Sequence, residues 1–80
     1  MEAMVFLNVD VGLEDKVMEE VTAIPEVRAA YFTYGPYDIA VRVEVPSLEA
    51  LKNVVSGRIR RIKGVRSTVT MIVIRSYRRQ

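Results

Sequence analysis

The chain of 80 residues contains no cysteine, no histidine and no tryptophan. Without cysteine no disulfide can stabilise the domain, and a metal site with thiolate or imidazole ligands is excluded. A domain of this size buries only about 60% of the surface that its unfolded chain exposes. We therefore expect very regular packing or association between copies to supply stability, and nothing in the sequence calls for a cofactor.

Long hydrophobic runs and targeting signals are also missing. No stretch approaches the ~18–20 apolar residues that a membrane span needs, and the first residues lack the features of a signal peptide. We therefore expect a cytoplasmic protein without a membrane partner. Amide side chains are few, and charged residues make up 28% of the chain, a composition typical of thermophilic proteins.

Acidic residues are absent from the second part of the chain. All ten lie within residues 1–50, whereas residues 51–80 carry nine bases and no acid. One interpretation is a nucleic-acid footprint. We favour another, in which an acidic and a basic helix lie side by side or face each other across subunits, because no nucleic-acid-binding signature accompanies the bases. The bases are Lys52, Arg58, Arg60, Arg61, Lys63, Arg66, Arg75, Arg78 and Arg79.

Alternating and helical apolar spacings predict the order βαββαβ. We expect a strand over 4–11, a helix over 13–24, a hairpin of strands over 27–33 and 39–45, a helix over 47–63, a last strand over 65–75 and a frayed tail over 76–80.

Three further expectations concern particular residues of these elements. Val5, Leu7, Val9 and Val11 share one face of the first strand. Ser47 is the predicted N-cap of the second helix. Gly64 follows the basic last turns of that helix, where cations are favoured.

An internal repeat supports this order. A shift of 38 residues superposes Leu13, Val17 and Val21 on Leu51, Val55 and Ile59, and it aligns residues 24–28 with 62–66. Two similar βαβ halves predict an α+β, ferredoxin-like fold, a four-stranded antiparallel sheet with two helices on one face. The strands are apolar on both sides, so we expect the uncovered face to mediate association between copies.

The turn between the hairpin strands concentrates polar groups at one loop tip. It comprises Tyr34, Gly35, Pro36, Tyr37 and Asp38. A free amino acid needs an anion for its ammonium group and hydrogen-bond donors for its carboxylate. Asp38 can supply the anion, while Thr68 and Thr70 offer paired hydroxyls on one face of the last strand. The alternative is that Asp38 caps its own turn and the threonines are ordinary strand residues.

Three segments resemble the Lrp/AsnC (leucine-responsive regulatory protein) family, specifically its C-terminal effector-sensing RAM domain. Residues 24–27 lead into the second strand, residues 33–38 are similar to the family's Gly-x-Tyr/Phe-Asp hairpin motif, and residues 62–70 are similar to its Gly-Val-x-x-Thr-x-Thr entry to the last strand. Pro36 occupies the variable position of the hairpin motif, where it offers no backbone N–H.

This resemblance implies a single RAM-like domain over 1–80, without the helix-turn-helix domain that usually precedes it. Such a module would sense an amino-acid effector, would not itself bind DNA, and would form homodimers that assemble into a ring such as an octamer. Full-length regulators of the family are further expected partners. The implied ligand-binding residues are those of the 34–38 turn, Thr68 and Thr70.

Other function classes remain open beside this one. An ACT-like or structural module that oligomerises and binds a protein partner has the same order of elements, with Gly12 as a partial match to an ACT-like site. A nucleic-acid-associated ring would use the basic residues. An enzyme is not expected, because the loop after the first strand lacks the arginine and asparagine of acylphosphatases.

Overall fold

The computed structural model describes residues 1–79 and shows a four-stranded antiparallel sheet. In chain order the elements are β1 (Glu2–Val9), α1 (Glu14–Thr22), β2 (Val27–Phe32), β3 (Ile39–Glu44), α2 (Leu48–Gly57), a 3-10 turn (Ile59–Arg61) and β4 (Val65–Ile72). The strands are ordered β2-β3-β1-β4. The predicted α+β, ferredoxin-like fold is confirmed.

One face of the sheet forms the core together with the helices. In β1 every second residue is buried, and the residues between them are only half-buried. Because side chains alternate across a strand, the two helices cover one face and leave the other open. The largest fully buried side chains are Leu7, Ile39, Ile59, Val5, Val17, Val21, Val41 and Val43.

The first strand ends at Val9, two residues before the predicted end. A turn follows, in which Asp10 N donates to Gly64 O (2.8 Å) and Leu13 N donates to Asp10 O (3.0 Å). The expectation that Val11 continues the buried face is therefore wrong, because the turn carries Val11 off the sheet and leaves it 94% exposed.

Both helices end earlier than predicted because the chain enters the same turn after each of them. After α1, Ala23 N, Ile24 N and Val27 N donate to the carbonyls of Glu20, Val21 and Ile24. The same three backbone hydrogen bonds recur 38 residues later. There the donors are Arg61 N, Ile62 N and Val65 N, and the acceptors are the carbonyls of Arg58, Ile59 and Ile62, respectively. The internal repeat is thus a repeat of backbone structure.

The expectation that the basic cluster lies on the last turns of α2 is wrong. The helix ends at Gly57 and has no basic residue in its last turn, so Arg58 and the bases after it do not lie on α2. Arg60 and Arg61 lie on the separate 3-10 turn that follows. Glycine is a weak helix former, and Arg58 (φ −129°) already departs from helical geometry. The predicted N-cap is confirmed, since Ser47 Oγ accepts a hydrogen bond from Ala50 N at 3.1 Å.

The last strand ends at Ile72, although Val73 N still donates to Glu2 O at 2.9 Å. Residues 73–79 lack regular secondary structure, and Gln80, the end of the expected tail, lies outside the described residues. Within residues 1–79 no helix has the length and apolar character needed to cross a membrane.

Candidate functional site

The predicted hairpin is present and its connecting loop is closed by two hydrogen bonds. Thr33 N donates to Asp38 O at 2.9 Å, and Thr33 Oγ1 donates to Tyr37 O at 2.7 Å. Strands β2 and β3 pair antiparallel on either side of it. The loop therefore projects from a hydrogen-bonded base, which holds its exposed tip in a defined position.

Asp38 ties this loop to the neighbouring strand β1. Its backbone N donates to Leu7 O at 2.9 Å, and its carboxylate Oδ2 accepts a short bond from Val9 N at 2.7 Å. Hydrogen bonds to an ionised acceptor are stronger than neutral ones. The half-buried carboxylate therefore holds the end of β1 instead of capping its own turn, and Oδ1 accepts no hydrogen bond from residues 1–79.

The remaining loop residues divide into a fixed and a projecting group. The ring of Tyr37 packs on Phe6, with 5.5 Å between ring centroids, which fixes it against the open face of the sheet. Tyr34 is fully exposed. Gly35 has φ +142°, a backbone conformation that residues with a Cβ rarely adopt, and it has open space around it. Pro36 is exposed beside it.

Thr68 and Thr70 lie on the other side of the sheet from the ring of Tyr37. They pair with Leu7 and Val5, whose side chains are buried under the helices. Thr68 and Thr70 therefore point to the helix side of β4, at the edge of the sheet. Within a single copy of the chain, the residues of the 34–38 loop lie together, but Thr68 and Thr70 lie apart from them.

Comparison with known proteins identifies the family. Residues 2–80 match the model of the Lrp/AsnC ligand binding domain. The chain belongs to the Lrp/AsnC family. It is 38% identical over 64 residues to an uncharacterised HTH-type transcriptional regulator of the thermophile Pyrococcus furiosus; the match covers 79% of this chain and 43% of the relative. The chain thus spans less than half the length of that curated relative.

Solved structures show the same fold. The crystal structure of FFRP-DM1 has a TM-score of 0.88 and 38% identity, and the match covers 91% of this chain and 97% of that one. A regulator from Neisseria meningitidis, solved in complex with L-Met, has a TM-score of 0.90 at 15% identity, with 98% of this chain and 52% of that one covered. The second likeness shows the fold alone.

The open sheet face of this Lrp/AsnC chain combines an apolar patch with an ion-pair cluster. Met4 and Phe6 lie opposite Met71 and Val69, which are 58% and 42% exposed. The expected apolar character of this face is confirmed.

The ion-pair cluster beside the patch centres on Arg42. Its Nη1 contacts Glu2 Oε2 at 3.1 Å and Glu44 Oε2 at 3.0 Å. The hydrogen bond that Arg42 donates to Glu2, and next the one that it donates to Glu44, raises the pKa of Arg42 above its ordinary value. Sequence reasoning missed this cluster, although Arg42 and Glu44 alternate with buried valines and so share the open face.

The basic residues of this Lrp/AsnC chain do not form one patch. Arg58, Arg66 and Arg78 pair with acids of the first half at 3.5 to 3.8 Å. Residues 58–63 precede β4, and residues 75–79 follow it, so the two groups flank opposite ends of an eight-residue strand. Within residues 1–79 no ion pair joins α1 to α2. The expected basic helix is not seen, because α2 carries one base, Lys52, and one acid, Glu49.

Proposed function

We propose that this chain is an amino-acid-sensing module of Lrp/AsnC-type transcriptional control. It binds a small amino-acid effector at an interface between subunits of a ring oligomer and carries out no catalysis. Its relatives are transcriptional regulators, and the matched family model is a ligand-binding domain. The L-Met in the Neisseria complex makes a free amino acid the first class of ligand to test.

The observation that carries the proposal is the geometry of the 34–38 loop. Asp38 uses Oδ2 to hold Val9 N, which leaves Oδ1 available to an ammonium group. Gly35 lets a ligand approach the backbone closely. Pro36 gives no N–H, so donors for the effector carboxylate come from elsewhere.

A second subunit supplies those donors in this proposal. Thr68 and Thr70 carry hydroxyl groups but lie on the helix side of β4 within their own chain. A site that uses both groups of residues is complete only where one copy's loop meets another copy's β4. Ligand binding there favours whichever assembly completes the site.

The test is titration calorimetry of the chain with each of the twenty amino acids, together with light-scattering mass. We expect heat and a change in mass or melting temperature with one or a few of them. Asp38→Asn keeps an oxygen for Val9 N but removes the charge, and we expect it to weaken effector binding about tenfold or more. Glu19→Gln, on the exposed side of α1, is the matched control and leaves affinity unchanged.

A panel in which no amino acid gives heat or a change in mass would contradict the sensor proposal. An oligomer that forms but ignores all twenty would instead point to the structural or ACT-like alternative. Equal affinity of the Asp38→Asn and Glu19→Gln variants for a true effector would contradict the role given to Asp38.

A further inference from the structure

The segment that joins α2 to β4 carries more than half of the bases in the second part of the chain. Five bases lie within residues 58–66, and all of them are exposed. They are Arg58, Arg60, Arg61, Lys63 and Arg66. The 3-10 turn in this segment is anchored from the inside, because Ile59 and Ile62 are buried in the core. The bases are therefore held on a fixed part of the surface.

Three of these bases have no acidic partner among residues 1–79. Arg58 Nη1 lies 3.8 Å from Glu26 Oε1. Arg66 Nε lies 3.5 Å from Asp10 Oδ1. Like charges that lie close together repel one another and destabilise the folded chain, so an unneutralised group needs an explanation. The three without a partner, here called the unpaired bases, are Arg60, Arg61 and Lys63.

The internal repeat shows that the backbone of this turn does not require the charges. The same three backbone hydrogen bonds close the turn after α1, 38 residues earlier. There the positions equivalent to the unpaired bases are also exposed, but they carry uncharged residues. These are Thr22, Ala23 and Pro25. One backbone structure thus forms once without a base and once with three, so the charge points to contact with another molecule.

The surroundings of the unpaired bases indicate which kind of anion fits them. An exposed base binds a single anion weakly, whereas a polyanion can contact several bases at once. Ile59 and Ile62 are buried, so they are not available for insertion into a membrane. Residues 58–66 contain no aromatic side chain on which the nucleobases of a single strand could stack. A duplex needs only phosphate contacts, because its nucleobases are already stacked.

We propose that the unpaired bases bind the phosphate backbone of double-stranded DNA without reading its sequence. Each guanidinium or ammonium group contacts a phosphate and releases condensed counterions. This contact differs from operator recognition by a helix-turn-helix domain, because phosphate contacts carry no sequence information directly. It needs no amino-acid effector. In an oligomer, several copies present their unpaired bases to one duplex, which raises the affinity.

The test is fluorescence anisotropy of a fluorescein-labelled DNA duplex of about 20 base pairs with the full chain, at about 50 and 200 mM salt. We expect binding at the lower salt concentration that weakens steeply at the higher one. Duplexes of unrelated sequence should bind with equal affinity, because phosphates are the same in all of them. A single strand of the same length should bind more weakly than the duplex, because its charge density is lower.

Arg60→Thr combined with Arg61→Ala gives this turn the residues of its equivalent after α1. The fold should stay intact, since the same residues already occupy the same backbone structure there, and the melting temperature checks this. We expect the affinity for the duplex at the lower salt concentration to fall about tenfold or more, and the slope of log affinity against log salt to fall by about two. Arg78→Thr combined with Arg79→Ala removes the same charge from the tail and is the matched control, with a change within about threefold.

Several results would overturn the proposal. They are no binding of the duplex by the chain at millimolar concentration and low salt, an affinity that does not respond to salt, tighter binding of the single strand, and equal losses in the two double variants. Loss of self-association by the Arg60→Thr, Arg61→Ala variant without DNA would also overturn it, because the unpaired bases would then contact an acidic surface of a second copy.

Discussion

At the scale of single residues, Gly64 is the one of the four glycines least able to accept a side chain. It has φ +104°, and a Cβ there would lie 3.0 Å from Leu13 Cδ1 and 3.1 Å from Val17 Cγ2. We expect Gly64→Ala to lower the free energy of unfolding by about 1–3 kcal/mol, because backbone strain and overpacking act together.

Gly57 provides the control for this substitution. It ends α2 with open space around it and no positive φ, so Gly57→Ala should leave stability unchanged or raise it by up to about 1 kcal/mol. Urea denaturation of both variants checks the prediction. Equal effects of the two substitutions would show that the crowding at Gly64 is relieved by movement of Leu13.

The residues of the candidate loop illustrate what sequence reasoning can and cannot reach. The 34–38 turn and the acid at its end could be identified, because Gly-Pro and flanking strand patterns are local signals. The bond from Val9 N to Asp38 Oδ2 joins residues 29 apart in sequence, and no local pattern encodes it. The opposite placement of Thr70 likewise depends on the pairing register of β4 with β1.

At the scale of elements, the two helices begin differently. The start of α2 is capped by Ser47 Oγ, whereas Leu13 gives α1 no side-chain cap. We expect Ser47→Ala to lower the free energy of unfolding by about 1 kcal/mol, because Ala50 N loses its acceptor.

Ser56→Ala serves as the matched control for the cap. Ser56 is exposed within α2, so its replacement by the better helix former should change stability by only a few tenths of a kcal/mol, roughly, and in the stabilising direction. Thermal unfolding followed by circular dichroism distinguishes the two variants. A similar loss for both would mean that the cap contributes nothing measurable.

The boundaries of the elements were the least predictable part of the fold. The apolar spacing of Ile24 and Ile62 continues the helical stripe, which is why both helices were expected to include them. Both residues are buried as predicted, yet they reach the core from the repeated turn. Apolar spacing therefore reported burial correctly, but it could not distinguish a helix from a tight turn that buries the same residue.

At the scale of the whole molecule, we expect the open sheet face to mediate association between copies, because it is apolar and no helix covers it. Met71→Glu puts a charge in its apolar patch, and we expect it to weaken association between copies by about tenfold or more, because the carboxylate is poorly solvated at an interface. Val11→Glu is the control, because Val11 is an apolar residue away from the sheet and is 94% exposed, against 58% for Met71. Sedimentation velocity over a concentration series measures both, and unchanged association of Met71→Glu would place the contact elsewhere.

The strand order has a consequence for how this protein is made and divided. Each ladder of the sheet joins a strand before the 34–38 loop to one after it, as β2 with β3, β1 with β3 and β1 with β4. Neither half contains a pair of neighbouring strands. During synthesis β1 and β2 therefore leave the ribosome before β3 and β4, the strands with which they pair. Two fragments produced by a cut within the loop would form the sheet only by binding to each other, as the two parts of a split reporter do.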